Sequence, residues 1–241
     1  MTTFVLMHGG GMGGWTWKFC REILESKGHK VYTPTFTGFG EREHLISRSA
    51  GNDVHVLDVV NVLKYEDLTD AVLVAHSYAG TVAPGVLAVA GERIARVIFL
   101  DAIIAHAGER IASLMGFASE AEAAGLDAML AAGEGPVGSG VHLQQREMAK
   151  QHPHMMPRDR EQWLLDHLSD QPMRATSCAI AVGAESITHP ADYVAAQHTI
   201  MGMMHDRARA LGWPVHEHPG DHAFNVGDPE GVCEIILRIV G

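Results

Sequence analysis

Cysteine is scarce in this chain, with Cys20, Cys178 and Cys233 the only three in 241 residues. Odd in number and far apart, they exclude a disulfide scaffold or a zinc ribbon, both of which need closely spaced pairs. Basic residues are also short, 18 Lys and Arg against 29 Asp and Glu. The resulting formal charge of −11 disfavours nucleic-acid and anionic-membrane partners by repulsion. No apolar run approaches the roughly 18 residues that span a bilayer. The opening Met1-Thr2-Thr3-Phe4-Val5-Leu6-Met7-His8 has neither a basic leader nor the longer apolar core of a signal peptide. Together these absences lead to the expectation of a soluble, cytoplasmic protein.

What is present is ordinary for a globular chain, 46% apolar and 20% charged, which excludes disorder and fibrous architecture. The length suits one domain carrying an insertion. Histidine is the unusual entry: its 16 copies nearly match Lys and Arg together and invite a metal or acid–base reading.

Short β-type runs bounded by Gly or Pro alternate with segments of helical periodicity, the pattern of an α/β fold with a parallel sheet covered by helices on both faces. Strands are predicted at Thr3–His8, Lys30–Pro34, Ala71–His76, Arg96–Leu100, Cys178–Val182 and Pro214–His218. Helices are predicted at Trp15–Ser26, Val54–Tyr65, Tyr78–Ala90, Asp192–Leu211 and Pro229–Ile239, with Pro84 kinking the third or ending a short first segment. Residues 102–174, rich in Ala, Gly, Met, His and Pro, break the alternation and read as a helical insertion into a core made of residues 1–101 and 175–241. Placed beyond the carboxyl end of a strand, the insertion would cap the ligand crevice of an open sheet. A connecting helical layer with no role at the site is the plainer alternative.

Three motifs compete for the chemistry. Gly9-Gly10-Gly11-Met12-Gly13-Gly14 satisfies G-x-G-x-x-G, but the next strand ends Val31-Tyr32-Thr33-Pro34-Thr35 with no carboxylate for a ribose, so no nucleotide cofactor is expected. A loop bare of side chains can instead point a backbone N–H at developing negative charge. His216-Glu217-His218-Pro219-Gly220-Asp221-His222 superficially resembles a hydrolase metal motif. Alternating strand residues supply at most two ligands on one face, and His152 and His154 would join only by accident of folding, so no metal is expected. The third, Ala75-His76-Ser77-Tyr78-Ala79-Gly80, joins the apolar run Ala71–Val74 to a helix. A serine in such a turn is held in a strained conformation with its hydroxyl above the sheet, and its flanks must be small, here Ala75 and Ala79 where glycine is usual. A plain helix cap is the structural alternative. The glycine loop after the first strand, and His222 between the last strand and last helix, favour a nucleophilic serine.

On Phe4–Gly10, Gly13-Gly14-Trp15, Gly28–Val31, Thr37–Arg42, the elbow Ala75–Gly80 and Gly220-Asp221-His222, the sequence resembles the α/β-hydrolase superfamily. Within it the likeness is to the branch of plant hydroxynitrile lyases and methylesterases. The resemblance implies an α/β-hydrolase fold, Ser77 as nucleophile, His222 as base, and the N–H groups of Gly10 and Tyr78 as the oxyanion hole. It also implies a small, largely apolar ester or methyl carbamate as substrate, with no cofactor. The lyases carry a Lys after the catalytic His and a Thr after the His of the first loop; Ala223 and Gly9 stand there, which favours hydrolysis. Cyanohydrin cleavage and a non-catalytic ligand-binding role remain as alternatives.

The third triad member departs from the family. The acid normally follows the strand predicted at Cys178–Val182, where Glu185 is nearest and Asp192 lies further on, while Asp101 ends the preceding strand. These three, or a Ser–His dyad without an acid, stay open, as does the oligomeric state. Trp15, Tyr78 and the methionines Met201–Met204 are candidates to line an apolar pocket, with core packing on a helix the favoured reading of the methionines.

Overall fold

The computed structural model describes residues 1–241. Six strands form one wholly parallel sheet: β1 (Thr3–Met7), β2 (Lys30–Tyr32), β3 (Ala71–His76), β4 (Ile94–Leu100), β5 (Ala191–His198) and β6 (Val215–Asp221), in the order β2-β1-β3-β4-β5-β6. Side chains alternate across the strands and so feed two cores. Val5, Met7, Leu73, Ala75, Val97, Phe99, Tyr193 and Ala195 face one of them, packed against α2 (Asn52–Tyr65), α3 (Ala83–Ala90) and α9 (Gly202–Ala210). Phe4, Leu6, Val72, Val74, Ile98, Leu100 and Val194 face the other, covered by α1 (Lys18–Ser26) and α11 (Pro229–Val240) through Cys20, Leu24, Val232 and Ile236. No helix is long and apolar enough to cross a membrane.

From β1 the chain turns to β2 on one side and later returns to β3 on the other. The crevice at the carboxyl ends of β1 and β3 is therefore the topological switch point, where open sheets of this kind bind ligands. Five helices lie between β4 and β5: α4 (Ile111–Leu114), α5 (Glu120–Ala131), α6 (Val141–Gln151), α7 (Arg158–His167) and α8 (Arg174–Ser177). Leu164 and Leu168 pack with Met12 of the glycine loop and with Ala223 and Val226 around α10 (Phe224–Gly227), seating the insertion on the switch point.

Two elements differ from the sequence-based expectation. Cys178–Val182 is not a strand of the sheet. Its alternation of buried and exposed residues serves a local pairing instead: Gly108 N–H donates to Ile180 O and Ile180 N–H donates to Glu109 O. The fifth strand is Ala191–His198, the front of the segment expected to be helical. Alanines in Ala-Asp-Tyr-Val-Ala-Ala favour a helix by intrinsic propensity, but pairing with β4 and β6 and the burial of Ala191–Ala196 overrule it. Pro84 ends a short first segment: a 3-10 turn covers Ser77–Thr81, and α3 begins afresh with proline in its first turn, where the missing N–H costs nothing.

Candidate active site

Strand register alone aligns the site. Met7 pairs with Ala75 across β1 and β3, His76 with Leu100 across β3 and β4, and His198 with Asp221 across β5 and β6. One or two residues past those pairs come Gly9, Ser77, Asp101, Thr199 and His222, a row along the carboxyl edge of the sheet.

Ser77 sits at φ +53°, in the left-handed region that a side chain rarely adopts, and is 8% exposed. Its carbonyl accepts Ile103 N–H at 2.9 Å. The flanking Ala75 and Ala79 are fully buried, and a Cβ on Gly80 would stand 2.5 Å from Ile103 O, so glycine is required there. A Cβ on Gly9 would lie 3.0 Å from Ser77 Cβ, which shows how closely the glycine loop is laid against the serine.

The Ser77 Oγ is 2.9 Å from His222 Nε2, and His222 Nδ1 is 2.7 Å from Asp101 Oδ2. A carboxylate can only accept, so Nδ1 carries the proton and donates. Nε2 then presents its lone pair to the serine hydroxyl. Asp101, fully buried and at φ +43°, also accepts Thr199 Oγ1–H at 2.6 Å, His205 Nε2–H at 2.9 Å and Ala196 N–H at 3.3 Å. Burial by itself would raise its carboxyl; the donors, His205 and His222 first, outweigh that and hold it below the usual carboxylate range. Of the three acids weighed from sequence, the structure brings Asp101 to His222. Glu185 accepts Ala107 N–H in an outer loop, and Asp192 pairs with Arg96 and His216 near the amino end of β5.

Other histidines shape the site without joining the row. His76 Nε2–H donates to the His222 carbonyl at 2.8 Å and anchors that loop; burial pushes its imidazole from 6.5 down to about 3, so it stays neutral. His8 accepts Phe36 N–H at Nε2 and therefore donates from Nδ1 to Gly9 O at 2.8 Å, another neutral ring, lowered by burial to about 3. The apparent metal motif is dispersed among separate carboxylates: His216 on Asp192, His218 on Asp228, His222 on Asp101. His154 reaches Asp221, whose carboxylate also accepts Met155 N–H.

Gly10 N–H makes no hydrogen bond within the protein, and Tyr78 N–H lies in the first turn of a helix, where no intrahelical acceptor exists. Two glutamines of the insertion fix the loop that carries Gly10. Gln171 Oε1 accepts Gly11 N–H at 3.0 Å, and Gln145 Nε2–H donates to Gly10 O at 3.1 Å. No local pattern in the sequence marks these glutamines, Thr199 or His205; only long-range contacts place them.

The expected pocket lining needs correction. Tyr78 is buried in an aromatic cluster with Phe36 and Phe39, its hydroxyl 2.6 Å from His55 Nδ1. Trp15 packs edge-on against Trp163 and borders a polar surface cleft of about 640 Å³ with Lys18, Arg21, Glu41 and Glu43. The core reading of the methionines holds for Met204, fully buried with its Sδ accepting Ile104 N–H, and for Met201 in the same core, while Met203 is exposed.

The model of the alpha/beta hydrolase family matches residues 4–235, and the chain belongs to that family. It is 37% identical over 115 residues to the carbendazim hydrolyzing esterase of Nocardioides sp. (strain SG-4G), a stretch covering 48% of each protein. To the putative methylesterase 11, chloroplastic, of Arabidopsis thaliana it is 28% identical over 107 residues, 44% of this chain and 27% of that protein. The matches thus span about half, or less, of these curated relatives. Among solved structures, an extracellular alpha/beta-hydrolase from a Paenibacillus species superposes with a TM-score of 0.76 at 22% identity, covering 99% of both chains. The Arabidopsis methylesterase MES16 gives 0.74 at 20% identity, covering 100% of this chain and 99% of that one. At such identities the likeness establishes the fold.

Proposed function

We propose that the chain is a serine hydrolase of small, largely apolar carboxylic esters or methyl carbamates. The observation that carries this is the unbroken relay of Ser77, His222 and Asp101, with contacts of 2.9 and 2.7 Å. In this reading His222 takes the Ser77 proton as Oγ attacks the carbonyl carbon, and Asp101 stabilises the imidazolium that forms. The N–H groups of Gly10 and Tyr78 hold the tetrahedral oxyanion. His222 then protonates the departing alkoxide and, in the second half, activates water to release the acyl or carbamoyl group. Residues 102–174 act as the cap over the crevice.

The carbendazim relative supports the methyl carbamate side of the proposal. Attack on that carbamate would expel methanol, and water would cleave the carbamoyl enzyme to 2-aminobenzimidazole and carbon dioxide. Ala223 and Gly9 beside His222 and His8 offer no cation or hydroxyl for a cyanide leaving group, which argues against a lyase.

The test is Ser77→Ala assayed on p-nitrophenyl esters and on methyl benzimidazole carbamate. The expected result is loss of turnover on both; undiminished turnover overturns the assignment. Cyanide release from mandelonitrile would instead identify a lyase.

A further inference from the structure

We propose that His205 is a positioning residue for the acid of the relay, holding the Asp101 carboxylate in the plane from which it serves His222. This rests on the serine hydrolase reading and extends it by a residue that neither the family motif nor the relay itself contains.

Asp101 departs from the site's usual plan, since the end of β5 and the loop after it, where the acid would stand, read Gln197-His198-Thr199-Ile200. An aspartate at the end of β4 has to reach across, from a backbone at φ +43°, and a carboxylate rotates easily about its last torsion. What prevents rotation is two donors on each oxygen. Oδ2 accepts His222 Nδ1–H and Thr199 Oγ1–H at 2.7 and 2.6 Å. Oδ1 accepts His205 Nε2–H at 2.9 Å and Ala196 N–H at 3.3 Å. Without His205 only the longest of the four contacts would remain on Oδ1.

The surroundings of His205 suit a fixed post. It lies on α9, which is tied to the segment after Asp101 at two further points: Met204 Sδ accepts Ile104 N–H, and Arg207 donates to Ile104 O and to Glu109. Thr199 is oriented from the residue that caps the same helix, because its Oγ1 accepts Met201 N–H and so must donate its own proton to Asp101. The titratable groups facing the His205 ring are Asp101 and Tyr193, whose ring is 5.5 Å away and whose hydroxyl donates to Ala102 O. On its own helix Arg207 is paired with Glu109, and Arg209 with Asp206.

A histidine that merely satisfies a buried carboxylate would affect folding alone. A positioning residue also changes the charge that Asp101 offers His222: with one donor fewer, the carboxylate holds a protonated His222 more tightly. The experiment is the pH dependence of kcat/KM for p-nitrophenyl acetate in the wild type, His205→Phe and His205→Gln, with Ser77→Ala as control. For His205→Phe the expected result is a fall in kcat of roughly tenfold with KM held, and an acid limb moved up by about one pH unit. His205→Gln, which can still donate, moves both back toward the wild type. If His205→Phe does not fold, His205→Ala is read in the same way. A folded variant lacking the donor but keeping the wild-type acid limb overturns the role of His205, and with Ser77→Ala inactive it does so alone. Turnover by Ser77→Ala would overturn both readings.

Discussion

Thr199 Oγ1 stands 2.6 Å from Asp101 Oδ2, so the loop after β5 supplies a hydrogen-bond donor where the family pattern calls for an acid. Asp101, just past the end of β4, is the carboxylate that meets His222 instead. Asp101→Asn preserves shape but offers His222 an amide, which favours the wrong tautomer. The expected loss in kcat is roughly 10³- to 10⁴-fold, with KM little changed. Glu185→Gln, far from His222, should retain wild-type kcat. Steady-state kinetics on one aryl ester tests both, and the reverse pattern would return the acid to the loop following residue 182.

The elbow makes a second, purely steric demand. A Cβ at position 80 would meet Ile103 O at 2.5 Å, and that backbone is already tied to Ser77 O. Gly80→Ala should therefore cost about 1–3 kcal/mol, a fall in Tm of roughly 2–12 °C for a chain of this size. Gly28→Ala, where a Cβ meets nothing within 4 Å but φ is +84°, isolates the cost of backbone strain without crowding. A Gly80→Ala melt no lower than that of Gly28→Ala would contradict the steric account.

The insertion is fastened to the loop of His222 through Asp221. Its carboxylate accepts Met155 N–H at 2.7 Å and His154 Nδ1–H at 3.1 Å on one oxygen, and Ala223 N–H at 2.9 Å on the other. Burial would raise this carboxyl, and these donors bring it below its ordinary value. Asp221→Ala should release the segment 152–156, seen as faster amide exchange at Met155, and lower kcat/KM on bulky substrates more than on p-nitrophenyl acetate. Unchanged exchange at Met155 would show that the hydrophobic seam around Leu164 and Leu168 suffices by itself.

Acid stability follows from the buried imidazoles. Burial lowers His8 and His76 to about 3 and His55 to about 4, against 6.5 for a free imidazole. Below 6.5 the unfolded chain therefore binds protons that the folded protein does not, and stability decreases as the pH is lowered. The contribution is complete above about 6.5 and is lost progressively toward pH 4 and 3. The depressed carboxyl of Asp101 acts in the same direction in a lower window, present above its unfolded value of 3.8 and lost below it. Urea midpoints should fall continuously from pH 7 to pH 4; a flat profile across that range would show that these rings are charged or exposed.

Much of the architecture was readable where the information is local. β1, β3 and the turn at Ser77 announce themselves by an apolar run meeting small residues, and His222 by its place between the last strand and helix. β5 was not readable, because Ala191–Ala196 is helix-forming by composition and becomes a strand only between β4 and β6. With a strand expected at Cys178–Val182, the family pattern points to Glu185 for the acid. Asp101 was among the candidates, but what singles it out is the pairing of His76 with Leu100, a contact between distant segments. Tyr78 shows the same limit of local sequence: its backbone belongs to the elbow while its ring is claimed by Phe36, Phe39 and His55.

The position of Asp101 has one more consequence. Because Ser77 and Asp101 both precede residue 102, and Thr199, His205 and His222 all follow β5, the proton route takes nothing from residues 102–190. The part of it beyond Glu109 is exchangeable in principle: another insertion grafted between Glu109 and Ala191 would change which molecules reach Ser77, while Ile103 N–H stays on Ser77 O and Arg207 stays on Ile104 O and Glu109. Such a graft would have to reproduce the hydrogen bonds of Gln145 and Gln171 to the loop of Gly10 and Gly11, the packing of Leu164 and Leu168 on Met12, and the tie of His154 and Met155 to Asp221.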